Sequence, residues 1–348
     1  MPSTVEAVAE LANVSVSTVS RALRDVPGVS LDTRKRVQRI AKELGYVPSL
    51  AGSRLATGRT GAIAIVTPNL SKWFFGQVLA SAGRVLREAG FDVLLYELAD
   101  APARQRFFAG SSLAGRADGV LIFALQPTPE ELATLEAQNL PVAFLGSGVP
   151  GRSGVRVDDR AAGRAAVRHL LNLGHDRIAF VGIREAADST LGGIPPAERL
   201  KGYREALAEA GLEPTQDLEV HEENTTAGGS RAMARLLCTE VAPTAVFVAS
   251  DEMAFGVLRT LKAGGIDVPG DMSVIGFDNH ELSEILDLTT MDHAVAMQGS
   301  ETARRLLALI TPDAGAEPDL VLSAQLVVRG TTAPPFPLRG RRTVTPRT

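Results

Sequence analysis

Val16, Ser17 and Arg21 lie within six residues of one another near the amino terminus. On a helix entering a major groove by its first turn, side chains so spaced reach base edges. A valine methyl can touch a thymine methyl, a serine hydroxyl can donate or accept, and an arginine can grip a guanine or a phosphate. Thr18, Ser20 and Ser30 add hydroxyls placed for phosphate oxygens, and Arg34 is a further candidate for DNA contact. Such contacts fix register but carry no sequence information.

The elements that must hold these groups can be read from spacing. Thr4 stands ahead of Val5, Ala7, Val8 and Leu11 and is a natural helix cap. Asn13 can take the left-handed conformation that a tight turn needs. Ser15 caps a second helix, Val16 to about Leu23, which turns Val19, Ala22 and Leu23 inward. A third helix runs from about Leu31 to Leu44, capped by Ser30 and ended by Gly45. Its face Val37, Ile40, Ala41 and Leu44 is apolar, and its other face carries Arg34, Lys35, Arg36, Arg39 and Lys42. Two helices joined by a short turn, with a third behind them, form a helix-turn-helix. Pattern alone also allows a small helical bundle with a solvated basic face.

Charge separates this segment from the rest. The 348-residue chain has a formal net charge of −4, from 36 basic and 40 acidic side chains. Residues 1–60 hold nine basic and five acidic groups, a surplus of +4; the remainder holds 27 against 35, or −8. Such asymmetry marks a basic module on a differently charged body.

The body reads as alternating strand and helix. Apolar runs at Ala62–Val66, Val93–Tyr96, Val120–Phe123, Val142–Leu145, Ile178–Val181, Ala245–Val248 and Ser273–Gly276 alternate with amphipathic helices near 75–89, 129–138, 160–173, 197–210, 228–239, 252–264 and 297–310. This predicts parallel sheets covered on both faces, in two α/β subdomains. Other classes are disfavoured. A single cysteine, Cys238, forms no intrachain disulfide and is expected as a small buried residue on an apolar helix face. No apolar run is long enough to span a bilayer, and the start lacks a secretory signal, so a cytoplasmic protein is expected. Gly146-Ser-Gly-Val-Pro-Gly151 has dinucleotide-fingerprint spacing, but Pro150 and the following residues predict a loop there. His280-Glu281 lacks the second histidine of a zinc helix. No metal, cofactor or catalytic group is expected.

The stretch from Val5 to Arg24, VEAVAELANVSVSTVSRALR, resembles the DNA-binding signature of the LacI/GalR family of bacterial transcriptional regulators. So do Val29-Ser-x-x-Thr-Arg-x-Arg-Val and Glu43-Leu-Gly-Tyr-x-Pro. The resemblance implies that Val16, Ser17 and Arg21 read an operator, and that a hinge opening at Pro48 folds on the minor groove with Leu55 as the wedge between base pairs. Gly52-Ser53 stand where relatives usually carry Ala-Arg, which implies a hinge with a larger ordering cost.

The resemblance continues into the body, through Val157-Asp158-Asp159 with Gly163, Leu173-Gly174-His175, Arg199-Leu-Lys-Gly-Tyr203, Ala249-Ser-Asp-Glu-Met-Ala and Val268 to Asn279. It implies a periplasmic-binding-protein-like effector domain of two Rossmann-like subdomains, with the ligand between them. Trp73, Phe74, Asp158, Arg199 and Asp278 match ligand-facing positions. Carboxylates and an arginine suit paired hydrogen bonds to vicinal hydroxyls, and an aromatic face can stack on a pyranose. No aromatic stands near Glu223 and Asn224, where some sugar-responsive members have one. The segment 183–196 is expected as a surface loop.

The expected organisation is an all-α helix-turn-helix domain (1–47), a hinge (48–59) and an effector and dimerisation domain (60–335). Within the last, one subdomain comprises 60–158 and 291–321, the other 159–290 and 322–335. The proline- and arginine-rich end from 331 reads as a tail, disordered over 336–348, without the leucine heptads of a coiled coil. The expected function is a homodimeric, nucleoid-associated transcriptional regulator, a repressor, that binds pseudo-palindromic double-stranded operator DNA under control of a small-molecule effector, a sugar or sugar derivative. The alternatives are a solute-binding protein of the same α/β fold, which would have no use for the basic module, and an enzyme with a DNA-binding domain.

Overall fold

The computed structural model describes residues 4–23, 27–46, 59–110, 113, 115–184, 194–240, 242–311 and 318–335. Two compact units are present, residues 1–62 with 112–118, and residues 63–111 with 119–348. Within the first, α1 (Val5–Ala12), α2 (Val16–Leu23) and α3 (Leu31–Glu43) close on a core of Val8, Ala12, Val19, Ala22, Val37 and Ile40. The turn forms as the residue types dictate. Thr4 accepts a hydrogen bond from the Ala7 amide, and Asn13 caps α1 at φ 49°, ψ 51°. Ser15 Oγ accepts from the Thr18 amide at 3.2 Å, and Ser30 caps α3 through the Thr33 amide. Residues 48–58 of the expected hinge, with Leu55, and the tail 336–348 lie outside the described residues.

The second unit holds two six-stranded sheets. The first runs β11-β5-β4-β3-β1-β2, built from β1 (Ala62–Thr67), β2 (Asp92–Glu97), β3 (Gly119–Phe123), β4 (Val142–Leu145), β5 (Gly154–Val157) and β11 (Leu320–Leu322). The second runs β12-β10-β9-β8-β6-β7, built from β6 (Ile178–Ile183), β7 (Glu219–Glu222), β8 (Ala245–Val248), β9 (Ser273–Phe277), β10 (Thr289–Asp292) and β12 (Gln325–Val327). The described pairings are parallel except β10 with β12. The helices are α4 (Trp73–Glu88), α5 (Ala101–Gly110), α6 (Pro129–Glu136), α7 (Asp159–Asn172), α8 (Ile194–Glu209), α9 (Thr226–Leu236), α10 (Asp251–Ala263), α11 (Glu281–Ile285) and α12 (Val295–Ile310). The chain leaves the first sheet after β5, returns after β10, since α12 packs on Ile63, Leu121 and Leu145, and leaves again after β11.

All seven apolar runs are strands. Five further strands and two helices lie outside the expected elements. Gly154–Val157, Glu219–Glu222 and Thr289–Asp292 are short and polar or mixed in sequence; their ladder partners are remote in the chain, so no local periodicity marks them. Residues Gly146–Gly151 open no helix; β5 follows them instead. One expectation needs correction. Cys238 is exposed, because α9 ends at Leu236 and the thiol falls past the apolar face. Residues 331–335 are held against β9: the Ala333 carbonyl accepts from Ser273 Oγ at 3.0 Å, and Thr331 Oγ1 donates to the Val274 carbonyl at 2.7 Å.

Candidate functional site

In the helical unit, Val19 and Ala22 bury one face of α2, which leaves the other to solvent. Val16 is 42% exposed, a large apolar side chain left facing solvent among the described residues. Ser17 and Arg21 are exposed beside it. The hydroxyls of Ser17 and Thr18 both meet Ser15 Oγ, at 2.8 and 2.9 Å, which fixes the first turn of α2. Ser30 and Arg34 sit at the start of α3, where free amide groups and the helix dipole favour an anion such as phosphate.

In the α/β unit, the cleft between the sheets opens at the carboxyl ends of their parallel strands, the ordinary ligand position of such folds. It is built from the first turns of α4 and α10, the β9–α11 turn and the β10–α12 crossing. Glu252, in the first turn of α10, reaches across to α4. One oxygen accepts from the Trp73 amide at 3.3 Å and the other pairs with Lys72 at 3.2 Å. Lys72 also donates to the Asn224 carbonyl. The Trp73 ring lies against the His280 ring, 4.6 Å between centroids, and Phe255 meets the same imidazole edge-on at 5.2 Å. The Trp73 indole Nε1 is buried and has no hydrogen-bond acceptor among the described residues.

A second cluster lies on Phe74, whose ring stacks on His293 at 5.6 Å. His293 packs on Phe277 at 5.0 Å and bonds Asp278 through Nε2 at 3.1 Å. The Arg199 guanidinium lies 3.5 Å from the Phe277 centroid, donates to Asp159 at 2.8 Å and to the Ala249 carbonyl at 2.7 Å. Arg199 reaches this place because α7 and α8 cross closely. A side chain on Gly163 would overlap the Arg199 carbonyl, and one on Gly202 would overlap the Arg160 carbonyl.

Asp251, at the start of α10, is fully buried. Burial pushes its carboxyl up to about 6, with the nearby Asp278 charge adding to the rise. Hydrogen bonds from Ser283 and Thr290, each 2.7 Å, and from the His280 amide at 2.9 Å oppose it. Asp251 thereby ties three segments under the cleft.

Of the five residues singled out, Trp73, Phe74, Arg199 and Asp278 stand on these two contact clusters. Asp158 does not. It is exposed and caps α7 through the Ala161 amide at 2.9 Å, while its neighbour Asp159 takes the Arg199 ion pair. Asp158 instead lines a cavity of about 480 Å³ with Gln126, Asp159, Arg160 and Glu198. The Gln126 side-chain oxygen is buried there without a donor among the described residues. Residues the reading passed over are Lys72, Glu252, Asn224, His280 and His293. Their pattern is unremarkable in sequence; only the pairing of two sheets brings them together. Most of the expected 183–196 loop, residues 185–193, is outside the described residues.

Residues 4–49 match the bacterial regulatory proteins of the lacI family, and residues 167–332 match the periplasmic binding protein-like domain. The HTH-type transcriptional regulator CelR of Thermobifida fusca is 35% identical, over 94% of this chain and 97% of its own. Among solved structures, the lac repressor dimer bound to operator and the anti-inducer ONPF superposes with a TM-score of 0.84 at 28% identity, covering 96% of this chain and 100% of that one. A CelR–cellobiose complex superposes at 0.69 with 33% identity, covering 94% and 99%. An exposed face on α2, an α/β unit with a cleft between two parallel sheets, and likeness along nearly the whole chain agree: this chain belongs to the lacI family of bacterial regulatory proteins, and it is a DNA-binding transcriptional regulator.

Proposed function

We propose that the protein is a cytoplasmic, homodimeric repressor whose affinity for a pseudo-palindromic operator is set by a sugar held in the cleft. The observation that carries this reading is the Trp73 indole, buried at the cleft with a donor that has no acceptor among the described residues. A ligand oxygen would supply one. Phe74 and Trp73 offer stacking faces, and Arg199, Asp278 and Asp158 offer hydroxyl-binding groups. Cellobiose is the first ligand to try, since a relative forms a complex with it. The protein binds this ligand without turning it over. Residues 48–59 serve as the hinge, with Leu55 as the wedge, and Val16, Ser17, Thr18, Arg21, Ser30 and Arg34 meet DNA. The exposed apolar group Leu282, Ile285 and Leu286 suits a self-complementary dimer contact.

Effector binding acts by shifting the balance between two arrangements of the subdomains. A coupling of about 1–3 kcal/mol corresponds to a change of roughly 5- to 150-fold in operator affinity. The test is a thermal-shift screen of sugars on the full chain, beginning with cellobiose, followed by operator titration with and without each hit. A ligand at 100 times its Kd should stabilise the fold by about 2.7 kcal/mol. A sugar panel that shifts nothing would sink the sugar reading. A chain lacking residues 1–58 should keep the ligand shift and lose the operator.

A further inference from the structure

His293 lies in the crossing from β10 to α12 and touches both sides of the cleft. Its ring stacks on Phe74 of α4 and packs on Phe277 of β9, while Nε2 faces the Asp278 carboxylate. It is 2% exposed, and Gln298 behind it is 1% exposed. The Gln298 side-chain nitrogen lies 2.8 Å from the His293 carbonyl oxygen and 2.8 Å from His293 Nδ1. A carbonyl oxygen only accepts, so the atom facing it is the amide NH₂ and not the amide oxygen. Its second proton points at Nδ1, which must therefore accept. The ring is then the neutral tautomer with its proton on Nε2, and that proton goes to Asp278 Oδ1 at 3.1 Å.

We infer that Gln298 and His293 form a positioning relay that aims the Asp278 carboxylate at the effector, so that His293 is a specificity-setting residue of the cleft. This rests on the reading of Asp278 as an effector contact. Asp278 needs such support. Its φ of 130° is a conformation that residues with a Cβ rarely adopt, and strain of this kind persists only where the surroundings over-determine it. Among the described residues the second carboxylate oxygen has only the Asp251 amide, at 3.4 Å. With Oδ1 occupied by His293, Oδ2 is left as the acceptor for a ligand hydroxyl, and the rotamer is set before the ligand arrives. The relay also runs from the second sheet's turn into the first turn of α12. There Gln298 is held in turn, its backbone carbonyl accepting from Thr302 Oγ1 at 2.7 Å.

The test uses the full chain. With histidine labelled in ¹⁵N, two-bond nitrogen–proton spectra should show His293 protonated at Nε2 and bare at Nδ1. Gln298→Met, which keeps the bulk and loses both donors, should mix the tautomers. Crystals of the ligand-free His293→Leu variant should show Asp278 turned from its rotamer. His293→Gln, whose amide can stand in for the Nε2 donor, should keep it. Cellobiose affinity, read from Trp73 emission, should fall by about tenfold or more in His293→Leu and recover in His293→Gln, as expected for a lost hydrogen bond to a charged group. A proton on Nδ1, or an unmoved Asp278 in His293→Leu, overturns the relay. If wild type ignores cellobiose, that ligand is lost to the proposed function, while the spectra and the rotamer still decide the relay.

Discussion

The Trp73 and His280 rings lie 4.6 Å apart at a tilt of 32°, joining the helix that follows the first strand of one sheet to the turn that leaves β9 of the other. Beside this stack, Lys72 and Glu252 form an ion pair across the same gap. Trp73 is the sole tryptophan, so its emission reports this contact without interference. Lys72→Met should loosen the closure and shift the emission maximum to longer wavelength as the indole meets water. An unchanged spectrum would show that the pair does not hold the cleft.

Arg199 and Asp159 form a buried pair, at 7% and 8% exposure. Arg199→Ala strands the carboxylate, and breaking such a pair costs about 3–5 kcal/mol. Urea unfolding should show this loss. The effector response should be blunted while operator affinity without effector stays nearly unchanged.

Gly202→Ala places a methyl group against the Arg160 carbonyl at the α7–α8 crossing. The helices must separate, at a cost of about 1–3 kcal/mol by analogy with overpacked cores. A variant as stable as wild type in a denaturant titration would show that the crossing can relax freely.

Stability should depend on pH in a defined direction. Burial holds His169, His175 and His280 below the ordinary imidazole value of 6.5, with the charge of His175 adding to the depression of His169. The unfolded chain therefore takes up these protons at higher pH than the folded one. Stability is full above 6.5 and falls as pH drops below it. Asp251 runs the other way: its carboxyl, raised to about 6, binds a proton in the fold before the unfolded chain does. Melting temperatures across pH 8 to 5, an interval of about three units around the histidine range, should decline toward acid. Asp251→Asn should make that decline steeper below pH 6.

Arg21→Ala should cost about 1–3 kcal/mol of operator discrimination if the guanidinium forks onto a guanine. A uniform loss across DNA sequences, with a shallower salt dependence, would assign Arg21 to phosphate instead.

Local chemistry decided much of this protein in the sequence itself. Thr4, Asn13, Ser15 and Ser30 stand at caps and turns whose geometry follows from their own side chains, so the three-helix head was legible residue by residue. Most of the apolar runs were legible because a strand buried on both faces, as β1, β3, β8 and β9 are, has no polar positions to hide its pattern. Tertiary structure alone decided the rest. Thr289–Asp292 is polar and becomes a buried strand because Asp251, Thr331 and Arg329 satisfy its threonines from remote parts of the chain. Asp158 and Asp159 are adjacent carboxylates that no sequence pattern distinguishes; the α7 cap took one and the Arg199 pair took the other. His280 and His293 look ordinary in the chain. They matter because two sheets close with those rings against Trp73 and Phe74. Contacts between remote segments depend on how layers pack, and the spacing of residues along one strand or helix does not encode that.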